Sequence, residues 1–285
     1  MAPRFRQVKS KAVVLVALFP CIAWLWPFSS IGGGESLPKV RRRRSPSNGH
    51  KGTACADGSD LEDVRRKMEN SEVLACFLDL GEDGMTSHDL WTEKLPEVPS
   101  FDAMCVSNLD TLALEDAFPP QLKAGGSLAN LGQAALVDAR KLAKIFIMSQ
   151  QETFESKQLR LRLACFDHVP CSRIHWDDVP LRLVCTLTGA GTEVLPEGKA
   201  NRASFGELLS MPVERQAELT SQEWNERVAQ GEGWFDDLIP VPAGWGVLLK
   251  GSAWGGQGSC AGALHCSPRQ AEKRVILQVD LAESV

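Results

Sequence analysis

Apolar residues in the first half of the chain recur at helical spacing. The strongest pattern covers residues 127–150, where one apolar stripe continues for several turns. Residues 60–70 predict a shorter helix, and residues 101–117 predict another. Residues 71–80 are apolar enough to form either a helix or a strand. The pattern therefore predicts a mainly helical first half.

In the second half, the apolar period changes to the alternation that is typical of half-buried strands. Residues 159–165 and 181–188 alternate clearly, and residues 274–281 place their apolar side chains on one face. Residues 239–249 predict further strand structure that is interrupted by a Pro-Ala-Gly turn. Between these strands, residues 205–230 are acidic, polar and helix-prone, which indicates an insertion or a cover.

A helical part followed by short strands with Gly and Pro turns predicts an α+β fold in which helices pack on a small antiparallel barrel or sandwich. We divide the chain into three parts. Residues 1–54 are a leader with a basic linker, residues 55–156 are a helical part packed on the core, and residues 157–285 are the strand core.

The leader has the pattern of a targeting segment. Four basic residues precede an apolar run at residues 12–28, as in a signal sequence or a membrane anchor. Four consecutive arginines at positions 41–44 follow in a serine-rich stretch with few acids. We expect a protein of the secretory pathway or one anchored in a membrane through residues 12–28. The alternative is a plastid protein with a two-part leader.

Composition narrows the class of protein. The formal net charge of -5 and the pI of about 5.6 give no general affinity for polyanions, so we expect no nucleic-acid partner. A chain of 285 residues that is 44% hydrophobic is able to bury a full core. Its nine cysteines are an odd number at scattered spacings, which favours reduced thiols over a disulfide framework.

Two segments contain the candidate chemistry. His175 and Asp177 lie two positions apart, so they point to the same side if this stretch is extended. His265 follows near the end of the chain, and Arg274 comes nine residues later on a predicted strand. Two histidines and one carboxylate form the facial triad that holds ferrous iron and leaves coordination positions open. We call His175, Asp177 and His265 the triad.

The same segments resemble a known superfamily and, more closely, a family within it. The segments that carry the likeness are His175-x-Asp177, residues 189–196, residues 241–251, His265 and Arg274. They are similar to the core of the prolyl-hydroxylase-like Fe(II)/2-oxoglutarate dioxygenases. Residues 175–196, 248–254 and 265–268 resemble an uncharacterised domain-of-unknown-function (DUF) family, and the likeness covers residues 157–281.

The resemblance implies a double-stranded β-helix, of the jelly-roll or cupin type, with Fe(II) at the triad and 2-oxoglutarate at Arg274. Many such oxygenases add a tyrosine for the cosubstrate, and this chain has no tyrosine. Arg182, Thr186 and Thr188 are the polar groups available on the adjacent predicted strand. The implied function is an oxygenase of the hydroxylase type that acts on a small molecule or on a protein side chain.

Two alternatives stay open. Two cysteines and two histidines spaced C-x2-H-x2-C-x3-H are able to hold structural zinc, although this is not a familiar finger spacing, and Cys260 and Cys266 beside His265 are candidate ligands instead. The four candidate zinc ligands are Cys165, His168, Cys171 and His175. The second alternative is a non-catalytic protein of the cupin or scaffold type that binds zinc or iron without turnover.

Overall fold

The computed structural model describes residues 50–80, 85, 87–107, 113–150, 158–231, 233–254, 262–269 and 272–282. The predicted targeting segment at residues 12–28 and the cysteine at position 260 lie outside these ranges. Within them, no helix combines the length and the apolar character needed to cross a membrane.

The described residues contain ten strands. They are β1 (Thr53–Asp57), β2 (Ala75–Asp79), β3 (Phe101–Ser107), β4 (Leu159–Phe166), β5 (Leu181–Thr188), β6 (Glu193–Val194), β7 (Ile239–Pro240), β8 (Gly246–Lys250), β9 (His265–Cys266) and β10 (Arg274–Leu281).

These strands form two sheets. The larger sheet has seven strands in the order β1-β2-β8-β5-β10-β4-β3, and the smaller has three in the order β7-β6-β9. Only the pair β1 and β2 is parallel, and the other described pairs are antiparallel. An isolated bridge between His175 and His265 adds one more extended position beside β9.

Six α-helices accompany the sheets in the described ranges. They are α1 (Leu61–Glu69), α2 (His88–Lys94), α3 (Ala129–Met148), α4 (Arg202–Ser210), α5 (Val213–Glu218) and α6 (Ser221–Val228). Asp60 caps α1 by accepting a hydrogen bond from the Asp63 N–H, and Thr220 forms a capping box with Glu223 at the start of α6.

The large sheet has a different neighbour on each face. One face packs on α3, where Leu142 and Phe146 are fully buried in the same apolar cluster as Leu277 of β10. A separate apolar cluster combines Val184 of β5 with Val194 of β6, so it joins the large sheet to the small one. Because successive strand residues point to opposite faces, each central strand divides its side chains between these two environments.

Most of the sequence-based elements are confirmed. The class is α+β, α1 and α3 occupy the two helical stretches predicted at residues 60–70 and 127–150, and β4, β5 and β10 occupy the alternating stretches. The ambiguous stretch at residues 71–80 contains a strand, and residues 205–230 are largely helical.

The helix predicted for residues 101–117 is wrong. Phe101–Ser107 is a strand paired with β4, and Leu114–Ala117 is one short 3₁₀ turn. The side chains of the strand Phe101–Ser107 alternate in burial, with Ala103 buried and Met104 exposed. The sequence does not show this alternation clearly, because several of these residues are small or suit a helix equally well. Since β1, β2 and β3 belong to the large sheet, the part assigned as helical also contributes β2, β3 and most of β1, whose first two residues lie in the part assigned as linker.

Candidate metal centre

The structure brings the three side chains of the triad together. His175, Asp177 and His265 each offer one ligand atom, and these atoms lie within 4.8 Å of one another. Asp177 Oδ2 is 3.3 Å from His265 Nε2, and Asp177 Oδ1 is 3.9 Å from His175 Nε2. In the part of the chain that is described, no other group of three or more His, Cys, Asp or Glu side chains is close enough to hold a metal.

Backbone pairing sets the two histidines side by side. His175 N–H donates to the His265 carbonyl, and His265 N–H donates to the His175 carbonyl, both at 2.9 Å. In this antiparallel bridge the two rings lie with their centroids 4.5 Å apart. Asp177 follows two positions later on the same side of the extended segment. The short pairing between β9 and the segment around His175 therefore brings all three ligands together.

The opposite edge of the His175 segment is held by α6. Ile174 N–H donates to Asn225 Oδ1 at 2.7 Å, and Asn225 Nδ2 donates to the Ser172 carbonyl at 2.8 Å. Trp224 Nε1 donates to the Ile174 carbonyl at 2.8 Å. These two side chains satisfy the backbone groups that a neighbouring strand would otherwise pair. They fix the chain immediately before the first histidine.

The turn after Asp177 packs against the end of β8. Ser252 N–H donates to the Asp177 carbonyl and Gly251 N–H donates to the Pro180 carbonyl, both at 2.9 Å. A Cβ atom on Gly251 would lie 1.8 Å from the Val179 carbonyl oxygen. Only glycine allows this approach, so Gly251 is required for the turn that holds the carboxylate ligand.

Backbone carbonyls also set the orientation of the imidazole rings. Nδ1–H of His175 donates to the Arg173 carbonyl at 2.9 Å, and Nδ1–H of His265 donates to the Ala263 carbonyl at 3.0 Å. With a proton on Nδ1, the lone pair of a neutral ring lies on Nε2, the atom that faces Asp177. Metal-binding histidines are usually oriented by such a bond from the second nitrogen.

A thiol lies beside the first histidine. Cys171 Sγ is 3.5 Å from His175 Nδ1. Burial disfavours the imidazolium, but the hydrogen bond with Cys171 and the negative charges of Cys171 and Asp177 outweigh it and raise the pKa of His175 to about 9. The same contact lowers the pKa of the Cys171 thiol against the effect of burial. A metal must therefore displace a proton from His175 at neutral pH.

The carboxylate of Asp177 has the properties of a metal ligand. Burial alone would raise its pKa, but the charge and hydrogen bond of a protonated His265, with the charges of Arg182 and His175, hold the pKa of Asp177 well below its usual range. Its Oδ2 atom is buried and has no hydrogen-bond partner among the residues that the structure describes. When the imidazole rings are neutral, this buried, ionised oxygen has no donor among the described residues and lies 3.3 Å from His265 Nε2, which fits a divalent cation.

Arg274 is buried at the start of β10. Its Nη2 donates to Ser267 Oγ at 3.0 Å and its Nη1 donates to the Ala190 carbonyl at 3.4 Å. Its Nε is buried without a partner within the described ranges. Burial lowers the pKa of the guanidinium to about 10, so it remains a cation at neutral pH. This donor is suited to a carboxylate that comes from outside the chain.

The other polar residues predicted for the cosubstrate have different surroundings. Thr186 is buried on β5, the strand next to β10, and its hydroxyl has no partner in the described part of the chain. The Thr188 hydroxyl lies 3.1 Å from that of Thr92. The three guanidinium nitrogens of Arg182 instead donate hydrogen bonds to the carboxylates of Asp177 and Asp280. Thr186 thus keeps a free hydroxyl, whereas Arg182 is occupied by the protein.

The alternative zinc ligands do not form a cluster of three. Cys165 is buried in β4, and His168 is exposed, with its ring 3.0 Å from the Asp167 carboxylate. Of the four candidates, only Cys171 and His175 are in contact. The structure therefore favours the triad over the Cys and His set as the metal site.

Sequence reasoning missed several residues that support the site, above all Asp280 and Asn225. Asp280 stands on β10 at a position that shares a face with Arg274, and a polar residue inside an apolar strand was the available signal. Asn225 and Trp224 lie on an ordinary polar helix, and no local pattern links them to His175. Their role depends on tertiary contacts.

Two dioxygenases and a prolyl hydroxylase are among the solved structures that are similar to this chain. The rice dioxygenase for auxin oxidation is similar over 80% of this chain and 82% of its own, at 13% identity and a TM-score of 0.45. The Arabidopsis thaliana dioxygenase for auxin oxidation 1, in its complex with 2-oxoglutarate, is similar over 82% of this chain and 92% of its own, at 10% identity and a TM-score of 0.39. A Pseudomonas putida prolyl-4-hydroxylase is similar over 79% of this chain and 100% of its own, at 10% identity and a TM-score of 0.38. At such low identities and TM-scores, these likenesses assign no substrate and no site residue.

The comparison with curated proteins finds no match. A family model described as "Protein of unknown function (DUF1826)" matches residues 86–280, which include β4 to β9, nearly all of β10 and the whole triad. The match covers more than half of the 285 residues. The chain belongs to the DUF1826 family.

Proposed function

We propose that this protein is an Fe(II)/2-oxoglutarate-dependent oxygenase of the hydroxylase type. The observation that carries the proposal is the triad itself, in which Asp177 and His265 are buried and Asp177 Oδ2 lacks a hydrogen-bond partner among the described residues. Two histidines and one carboxylate that leave coordination positions open are typical of non-haem Fe(II) oxygenases.

The connectivity of the strands supports a double-stranded β-helix. From β4 onward the chain passes from the large sheet to the His175 bridge beside the small sheet, and then returns to the large sheet as β5. It continues through β6 and β7 in the small sheet, β8 in the large, β9 in the small and β10 in the large. Two four-membered layers result, β8-β5-β10-β4 and β7-β6-β9 with His175, which is the plan of a jelly roll.

Each residue has a distinct role in this proposal. His175, Asp177 and His265 hold the metal, and the guanidinium of Arg274 pairs with the distal carboxylate of 2-oxoglutarate. The Thr186 hydroxyl, which is buried near that strand, donates a further hydrogen bond to the cosubstrate. When bound, iron and 2-oxoglutarate supply the oxidising chemistry, and the protein supplies binding, orientation and exclusion of water.

The exposure of the triad indicates the side from which a substrate approaches. The side chain of His175 is 32% exposed, whereas those of Asp177 and His265 are each 7% exposed. The site therefore opens on the His175 side. We propose a small molecule or a protein side chain as the substrate, and we propose no nucleic-acid partner because the chain is acidic.

Binding and turnover of the purified full-length protein test this proposal. We expect one Fe(II) per chain, 2-oxoglutarate binding that requires the metal, and slow formation of succinate from 2-oxoglutarate in the presence of oxygen. Tightly held zinc that survives His265→Ala would contradict the iron site. Metal and 2-oxoglutarate binding without succinate in any substrate screen would favour the non-catalytic alternative.

We also propose that residues 1–54 direct the protein to the secretory pathway, to a membrane or to a plastid. The proposal depends on the basic residues, the apolar run and the arginine stretch of the sequence. A fluorescent reporter fused to residues 1–54 should leave the cytosol, and the compartment it reaches separates the three destinations. A diffuse cytosolic signal would contradict the proposal.

A further inference from the structure

A row of alternating charges crosses three strands beside the triad. Asp280 of β10 lies directly opposite Arg160 of β4 and Arg182 of β5, so the three side chains share one face of the large sheet. Asp280 is fully buried. Arg160 binds its carboxylate through Nε at 2.9 Å and Nη2 at 3.1 Å. We call Arg160, Asp280 and Arg182 the charge row.

Arg182 connects the charge row to the triad. Its Nε and Nη2 donate to Asp280 Oδ2 at 3.0 and 2.6 Å, and its Nη1 donates to Asp177 Oδ1. The guanidinium is planar, so two bonds to Asp280 fix the direction of the third donor. Gln278 adds a further bond to Asp280 Oδ2 at 3.1 Å and helps to hold that carboxylate.

The two oxygens of Asp177 are therefore not equivalent. Oδ1 accepts the hydrogen bond from Arg182, while Oδ2 has no hydrogen-bond partner in the described ranges and lies 3.3 Å from His265 Nε2. A carboxylate is able to bind a metal through one oxygen or through both. Here Oδ1 is already engaged by a charged donor, so Oδ2 is the oxygen that a metal reaches without competing for a lone pair.

We infer that Arg182, held by Asp280, is a positioning residue that restricts Asp177 to one metal-binding oxygen. This inference depends on the proposed function. A second bond from Asp177 would use one of the coordination positions that the triad leaves open, and 2-oxoglutarate with oxygen requires all of them. Arg182 therefore preserves a position for a cosubstrate without contacting the cosubstrate itself.

Stability alone does not explain the charge row. Burying a carboxylate and a guanidinium costs desolvation free energy that largely cancels their attraction, so apolar residues of similar volume would serve a core as well. The charge row instead provides orientation, because it fixes the plane of the Arg182 guanidinium relative to Asp177 Oδ1.

The number of water molecules on a bound Mn(II) ion, measured by pulsed EPR on the full-length protein, tests the inference directly. We expect Arg182→Gln to retain one metal per chain and to have one water fewer than wild type, because Oδ1 becomes free to bind. Asp280→Asn should have the same effect, since Arg182 loses its tether, and it provides a second variant if Arg182→Gln does not fold. Thermal unfolding of the metal-free proteins reports folding.

Arg162→Gln is the matched control. Arg162 lies on the same face of β4 as Arg160 and makes a similar forked pair with Asp102, at 2.8 and 2.7 Å. That pair is not part of the charge row, so the control should keep the wild-type number of waters. If folded Arg182→Gln and Asp280→Asn also keep it, the inference is overturned while the proposed function stands. A wild-type protein that binds neither Mn(II) nor Fe(II) would overturn both.

Discussion

The two faces of the large sheet differ although the same strands form both. On β10, Val275, Leu277 and Val279 are fully buried in the apolar cluster beneath α3, whereas Arg274 and Asp280 are buried on the other face. The apolar face needs only matching volume, since its contacts are not directional. The polar face needs particular atoms at particular distances, because each buried donor or acceptor requires a partner.

The difference means that stability and binding are assigned to alternate residues of one strand. Substitutions on the α3 face should lower the free energy of unfolding and leave the metal site intact in the folded protein. Substitution of the triad or of Arg274, in the small sheet and on the facing side of the large one, should weaken metal or cosubstrate binding and lower the free energy of unfolding less. Four predictions test this separation.

The largest effect is expected at the triad. His265→Ala should abolish stoichiometric binding of Fe(II), because the remaining histidine and carboxylate form an incomplete site. Metal analysis after gel filtration measures the stoichiometry. His168→Ala, which removes a histidine with a 65% exposed side chain, should keep one metal per chain. Equal metal content in the two variants would contradict the assignment of His265.

A truncation on the α3 face should have the next largest effect, on stability. Leu277→Ala removes a fully buried side chain and should lower the free energy of unfolding by about 2–5 kcal/mol, through lost burial and the cavity left behind. Denaturant titration measures this change. Leu209→Ala, at a side chain that is 42% exposed, should change stability by about 0.5 kcal/mol or less. Loss of metal from folded Leu277→Ala would show that the two faces are not separable.

Arg274 provides the same comparison for the cosubstrate. Arg274→Gln removes a charged donor and should weaken 2-oxoglutarate binding by about 10- to 100-fold while metal binding is retained. Calorimetry on the metal-loaded protein measures both affinities. Arg162→Gln is a suitable control, because Arg162 of β4 is paired with Asp102 of β3 and takes no part in the triad. Unchanged 2-oxoglutarate affinity in Arg274→Gln would remove Arg274 from the site.

The smallest effect is the pH dependence of metal affinity. Since the pKa of His175 is raised to about 9, the metal displaces one proton from this ring below that pH. Affinity should therefore rise about tenfold per pH unit above neutral pH and level off near the pKa. Competition titrations with a chelator whose own protonation is known measure the slope. Constant affinity across this range would contradict the raised pKa.

Local pattern was sufficient for the elements that alternate or repeat strongly. β4, β5 and β10 followed from alternation, and α3 followed from its apolar stripe. The strand at Phe101–Ser107 was missed because Asp102, Ala103 and Met104 suit a helix equally well, and pairing with β4 decided the outcome. Tertiary context overrides propensity at such positions.

The candidate site was predictable only in part for a related reason. The spacing of His175 and Asp177 is local, and His265 and Arg274 could be joined to them through a family resemblance. Asp280 and Asn225 make their contacts 98 and 51 residues away along the chain, with Arg182 and Ile174. Contacts between residues so far apart along the chain leave no periodic pattern in the sequence. The residues that orient the ligands can therefore be identified only from the folded structure.

Visible absorption during an anaerobic titration of the full-length protein tests the central claim most directly. Fe(II) is added to the metal-free protein and 2-oxoglutarate follows, because chelation of the iron by the keto acid gives a charge-transfer band that neither component gives alone. We predict that the band appears at one Fe(II) per chain, disappears in His265→Ala, and requires more 2-oxoglutarate in Arg274→Gln. Saturating Fe(II) and 2-oxoglutarate without any band would contradict the assignment of the triad as an Fe(II)/2-oxoglutarate site.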